Sequence, residues 1–254
     1  MKIPRLLRLG GHENFHTERR RHLEVFGLHN LPEEKQAAIG RVHFDGVRGR
    51  HGTTAVRLFY PRSFDSSSKL PALIYFHGGG YTVGSVDEFE NGLRLLTEAA
   101  DIITIGVEYR LAPEWPFPTQ LDEYEDVLSW TRSPEGARLG IDKDRVLGGG
   151  DSAGGNMTAA LCLRLKDEDK APLKAQILLY PEALDTPAAT ENNSGYYLEC
   201  NGIFGFADNY LPRAPNTPYP PAHRYVSPGM QPVEELSGLP PAVVFTCGFD
   251  PLRM

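Results

Sequence analysis

Apolar and polar positions change texture along the chain. Residues 1 to about 40 are polar, with scattered His and Arg and no sustained period, and Arg19, Arg20 and Arg21 are expected on a solvated helix face. From residue 53 a pattern sets in. Residues 53–60 alternate and predict a strand ended by Pro61, and 63–69 form a polar loop. Residues 72–76 are a short apolar run, suited to a strand buried on both faces. Residues 87–100 carry a helical period with an acidic first turn, which complements the helix dipole. A second buried strand is predicted over 102–109, a helix over 121–131, a brief strand at 145–147 running into glycines, and a strong helix over 153–165. Residues 176–180 and 242–247 predict further buried strands.

Strands alternating with helices predict an α/β fold, a mostly parallel sheet covered by helices on both faces. Between residues 181 and 241 the alternation fails. That stretch is rich in Pro, Asn, Gly and Tyr, with one helix predicted near 203–210. Long excursions of this kind usually form lids or binding segments. The expected organisation is therefore an N-terminal cap segment over 1–44 and a catalytic domain over 45–254, interrupted by a cap insertion at about 186–225. The aromatics Tyr196, Tyr197, Phe204, Phe206 and Tyr210 would form either an apolar pocket wall or the core of the cap.

Composition narrows the function classes. With 254 residues, 41% of them hydrophobic and no internal repeat, one large domain is favoured. The 33 acidic against 26 basic side chains give a net charge of −7, which argues against a nucleic-acid partner. No stretch is apolar enough to insert stably in a membrane, and the basic start lacks the apolar core of a secretion signal. The three cysteines, Cys162, Cys200 and Cys247, form no metal pattern or disulfide framework, so a cytoplasmic location is the expectation. No cofactor or metal is called for.

The strongest chemical signal is Gly150-Asp151-Ser152-Ala153-Gly154, a G-x-S-x-G motif after a predicted strand and before a predicted helix. A nucleophile there occupies a strained turn, so residues two before and two after it lie close together, where a Cβ would crowd the turn. The following helix points its N-terminus at the site and favours developing negative charge. The bland alternative is a glycine-rich turn with an incidental serine. The second signal is His77-Gly78-Gly79-Gly80, directly after the 72–76 strand. Three consecutive glycines are costly to order, but they let backbone N–H groups approach an oxyanion. The motifs predict each other, because a nucleophile elbow needs an oxyanion loop from an earlier strand. His77 precedes the glycines and is expected to hold the loop rather than act as a base.

HGGGY at 77–81, YRLAPEWPFP at 109–118, GDSAGGN at 150–156 and GFDPLR at 248–253 resemble the hormone-sensitive-lipase-like family of α/β-hydrolases over about residues 45–254. The resemblance implies an esterase with Ser152 as nucleophile, Gly79, Gly80 and Ala153 as oxyanion donors, and Asp250 as the acid of the triad. It implies a structural role for Glu114 and Trp115. The family's triad runs Ser, Asp, His, yet all eight histidines here precede Asp250. The expectation is a chain cut short of its last strand, histidine and helix, hence a nearly inactive one, with His223 the best in-chain substitute base.

The leading expectation is a serine hydrolase that cleaves small carboxylic esters through an acyl-enzyme on Ser152. Its partner would be a small-molecule ester, with a homodimer considered. A silent small-molecule binding protein on the same scaffold is the competing class, as in gibberellin receptors that resemble this family. Amide or lactone hydrolysis would use the same machinery.

Overall fold

The structure is a computed structural model that describes Leu9, residues 14–182, Leu198, residues 200–213 and 215–248, Asp250 and Leu252. Tyr196 and Tyr197 lie outside the described residues, as does the side chain of Phe204. The elements in chain order are α1 (Phe15–Phe26), β1 (Arg41–Gly49), β2 (Gly52–Tyr60), β3 (Leu70–Phe76), α2 (Val86–Ala100), β4 (Ile103–Glu108), α3 (Thr119–Thr131), α4 (Pro134–Arg138), β5 (Ile141–Asp151), α5 (Ala153–Asp167), β6 (Gln176–Leu179), α6 (Cys200–Tyr210) and β7 (Ala242–Phe245). The seven strands form one sheet in the order β1-β2-β4-β3-β5-β6-β7. β1, β2 and β4 are antiparallel neighbours, and every pairing from β4 through β7 is parallel.

Side-chain alternation along the strands sorts the core into two layers. Leu73 and Tyr75 of β3 join Phe59 under Val86 and Leu93 of α2. Ala72, Ile74 and Phe76 point to the opposite layer, with Leu121 and Tyr124 of α3 and Met157 and Leu161 of α5. The helix α2 is amphipathic in the required way, burying Val86, Glu90, Leu93 and Thr97 on one stripe. In the other layer the Phe76 ring lies stacked between Tyr109 and Tyr124, with centroids 5.1 and 4.0 Å away. A buried aromatic of this kind contributes roughly 1.5–3 kcal/mol by area alone, which fixes the end of β3 from which the glycine loop departs.

The sheet departs from the sequence reading at three strands. β1 escaped the sequence pattern because it is an outer strand with mostly exposed side chains, paired with β2 from Arg41↔Tyr60 to Gly49↔Gly52. The strand expected at 145–147 runs over the whole of β5: Ile141 at its start is buried in the core, but the exposed residues 143–145 between it and Val146 break the apolar run. The strand expected to be buried over 242–247 is instead an exposed edge: Val243, Val244 and Phe245 are 54–55% accessible.

Candidate active site

β5 delivers the chain into a sharp turn at Ser152, which has φ +50° and ψ −117° before α5 begins. Such a conformation costs on the order of 1–3 kcal/mol for a non-glycine residue and persists only when its surroundings over-determine it. Here Ser152 N–H donates to Leu179 O at 2.9 Å, and its own carbonyl accepts from Asn156 N–H at 3.0 Å and from Glu182 N–H at 3.1 Å. The flanking glycines are sterically required. A Cβ on Gly150 would stand 2.3 Å from Phe76 O, and one on Gly154 only 1.7 Å from the same atom.

The glycine loop leaves β3 next to this turn, because Phe76 pairs with Gly150 in the sheet. Asp151, buried at the end of β5, ties the two together. Its Oδ1 accepts from Tyr75 Oη and from Gly78 N–H, both at 2.8 Å. Burial pushes the Asp151 carboxyl up to about 6, while these two donors pull it back. Sequence reasoning missed this strut. The only signal was an acid beside Ser152, and the sheet register alone shows that it faces the loop. Since Gly78 N–H is committed to Asp151, the candidate oxyanion donors remain Gly79, Gly80 and Ala153.

His77 holds the loop, as expected of it. Its ring lies stacked between Phe89 and Tyr109, its Nδ1–H donates to Gly78 O at 2.8 Å, and Tyr109 Oη donates to His77 O at 2.8 Å. Burial lowers its pKa to about 4, so the ring is neutral at pH 7. The loop then turns through left-handed residues, with φ +117° at Gly79, +56° at Gly80 and +60° at Tyr81.

A cavity of about 560 Å³ opens over Ser152. Gly79, Ser152 and Asp250 line it together, and Leu9, Phe26, Phe89 and Leu198 supply apolar wall. The convergence follows from the sheet. β5, β6 and β7 run parallel, and Tyr180 N–H donates to Phe245 O at 2.7 Å, so the segment after β7 arrives beside the elbow. Ligands bind at these carboxyl ends of strands in open α/β sheets. Asp250 accepts Leu252 N–H on Oδ1 at 2.9 Å, and burial raises its carboxyl pKa.

Among the described histidines, His223 does not line this cavity. It packs edge-on against Phe117, Tyr219 and Tyr225, and Tyr225 N–H donates to its Nδ1. The histidine that does share the cavity with Ser152 is His22 of α1, buried with Nδ1 against the Glu88 carboxylate. Sequence reasoning passed over it because the polar N-terminal segment showed no period.

α1 is docked rather than loosely solvated. Arg19 donates to Thr82 O, to Ala112 O and to both carboxylate oxygens of Glu114 at 2.7–2.8 Å, and Arg21 pairs with buried Glu18. Glu114 is thus a structural anchor, as the resemblance implied, and Trp115 lies under the Arg110 guanidinium. The described late aromatics back the glycine loop. Phe206 meets Gly80, and Tyr210 stacks on Tyr81 with centroids 3.6 Å apart.

Comparison with known proteins agrees with this geometry. A family model described as α/β hydrolase fold matches residues 73–254. The chain is 32% identical over 229 residues to esterase LipI of Mycobacterium tuberculosis, covering 89% of this chain and 70% of that protein. It is 35% identical over 201 residues to the carboxylesterase NlhH of the same species, covering 78% of this chain and 61% of that one. Among solved structures, a hyperthermophilic esterase from Pyrobaculum calidifontis superposes with a TM-score of 0.84 at 28% identity, over 100% of this chain and 77% of its own. The chain belongs to the α/β-hydrolase fold family. Within it, the chain falls in the hormone-sensitive-lipase-like group, whose relatives here are named esterases and carboxylesterases.

Proposed function

We propose that the native protein hydrolyses small carboxylic esters through an acyl-enzyme on Ser152. The observation that carries this reading is the strained Ser152 turn, locked to the glycine loop through Asp151 and sharing one cavity with Asp250. Ser152 Oγ attacks the ester carbonyl carbon while a general base takes the hydroxyl proton, a part the family gives to a histidine beside the triad acid, here Asp250, against which none of the described histidines stands. The carbonyl oxygen becomes an oxyanion facing the N–H groups of Gly79, Gly80 and Ala153. Collapse of the intermediate breaks the bond to the alcohol oxygen, which leaves with the proton from that base. Water then attacks the acyl-serine by the same steps in reverse roles, releasing the acid and restoring Ser152.

The cavity's volume and apolar walls suit a small, apolar acyl or alcohol group. The N-terminal segment, which ends where β1 begins at Arg41, and the late insertion are read as its cap, supported by the docking of α1 through Arg19 and of Phe206 onto Gly80. No helix among the described residues is long and apolar enough to cross a membrane. A cytoplasmic location is supported by the free thiols of Cys162 and Cys247.

The glycine loop gives a test that separates chemistry from folding. A Cβ at Gly79 would lie 2.2 Å from the backbone oxygen of Val83, so Gly79→Ala is expected to lose both stability and activity. At Gly80 the added Cβ meets the ring and the Cβ of Phe206, and φ +56° adds a backbone strain of roughly 1–2 kcal/mol, a smaller cost than the backbone clash at Gly79. Gly80→Ala keeps the backbone N–H but must shift it to relieve the new contact and the left-handed strain, and kcat on p-nitrophenyl esters is expected to fall more than stability does, by up to the about 10²–10³ of one lost oxyanion donor. A folded Gly80→Ala protein with unchanged kcat would count against Gly80 as a donor.

A further inference from the structure

The glycine loop is braced from behind by a side chain of the N-terminal segment. After Gly79 and Gly80 the loop holds a third left-handed residue, Tyr81, a conformation that is costly for a residue with a Cβ. Backbone of this kind keeps its shape only where its surroundings over-determine it. Here the carbonyls are tied down one by one. Gly79 O accepts from Thr82 N–H at 3.1 Å and Val83 N–H at 3.0 Å, which closes the turn, and Tyr81 O accepts from Ala112 N–H at 2.9 Å. Thr82 O accepts from Arg19 Nε at 2.7 Å, and Arg19 also donates to Ala112 O at 2.8 Å. One guanidinium therefore grips both the loop and the segment that holds the loop. Its other bonds go to the two carboxylate oxygens of Glu114, each at 2.8 Å, which neutralises its charge. Arg19, His22 and Phe26 fall at i, i+3 and i+7 on α1, hence on one face, and the last two line the cavity over Ser152.

We propose that Arg19 is a positioning residue for ester hydrolysis: through Thr82 O and Ala112 O it fixes the backbone of Gly79 and Gly80, so that the oxyanion donors take their working geometry only when α1 is docked. The inference rests on the reading of Ser152 as nucleophile and of the glycine loop as its oxyanion site. Its physical basis is geometric. A donor stabilises an oxyanion through the distance and direction of its N–H, and a displacement of about 1 Å can cost about 10² in rate. The near end of the loop is secured from the sheet, where Gly78 N–H is held by Asp151. The far end is secured by Arg19 and Ala112, and without the guanidinium Thr82 O loses its partner and the turn is free to swing about Gly78. The N-terminal segment thereby acts on the chemical step as well as on the wall of the cavity.

The test measures kcat and KM on short p-nitrophenyl esters for the native protein, Arg19→Ala and Arg19→Lys, with thermal melts to show that each is folded at the assay temperature. The affinity of each for an aryl trifluoromethyl ketone, whose adduct with a serine carries an oxyanion, is read in parallel. Arg19→Ala should lower kcat by about 10- to 100-fold and weaken the ketone by a similar factor, with a smaller change in KM. Arg19→Lys keeps the charge but not the planar fork that spans the three partners, so its kcat should fall as well. It carries the test if Arg19→Ala does not fold. A folded variant with a raised KM but native kcat and native ketone affinity would mean that Arg19 only docks a wall of the cavity, and would overturn the proposal. Native kcat in Arg19→Lys beside a loss in Arg19→Ala would assign the effect to charge and overturn it equally. Failure of a fluorophosphonate to label Ser152 in the native protein would instead overturn the nucleophile reading.

Discussion

Ser152→Ala in the native protein is expected to lower kcat on short p-nitrophenyl esters by on the order of 10⁶, the scale set by loss of the nucleophile in serine proteases. The fold should not follow. The turn at Ser152 is held by backbone bonds to Leu179, Asn156 and Glu182, none of which uses the hydroxyl. The crowding that over-determines the turn comes from Gly150, Gly154 and Phe76, which the substitution leaves in place. The thermal midpoint of Ser152→Ala should therefore stay close to that of the native protein. A faint residual rate from the oxyanion donors is compatible with this reading. Turnover near the native level would mean that another group attacks the ester.

The second large effect is expected at Asp250. Asp250→Asn keeps the size of the side chain and one carbonyl oxygen able to accept Leu252 N–H. On the proposed scheme it removes the charge that would orient the histidine and stabilise its protonated form, a change that costs about 10⁴ in kcat in a serine protease. The loss should appear in kcat with KM little altered, because Asp250 lies in the wall of the cavity beside Ser152 rather than at an apolar acyl contact. Equal loss of kcat and thermal stability would instead point to a role in holding the segment after β7.

The parts of this fold that were legible in the sequence are those where one physical demand dominates. β3, β4 and β6 must be apolar because they lie inside the sheet, and α2 must show its stripe because one face meets the strands. Gly150 and Gly154 were legible because no other residue fits against Phe76 O. What stayed hidden depends on long-range partners. β1 is an exposed edge with no apolar face to announce it, and α1 is fixed by Arg19 reaching Thr82, Ala112 and Glu114 rather than by its own pattern. Asp151, His22 and Glu182 are polar residues whose burial is decided by elements distant in the chain. The strand at β7 reads as buried from composition alone, yet its burial depends on what lies beside it.

The most direct test of the central claim is covalent trapping of the native protein with diethyl p-nitrophenyl phosphate, read by peptide mass spectrometry. Attack by Ser152 Oγ on phosphorus should release p-nitrophenol in amounts stoichiometric with the chain and place a diethylphosphoryl group on Ser152. Esterase activity should fall in step, and Ser152→Ala should carry no adduct. A diethylphosphoryl group on a different residue, or ester turnover that survives with Ser152 unmodified, would contradict the assignment.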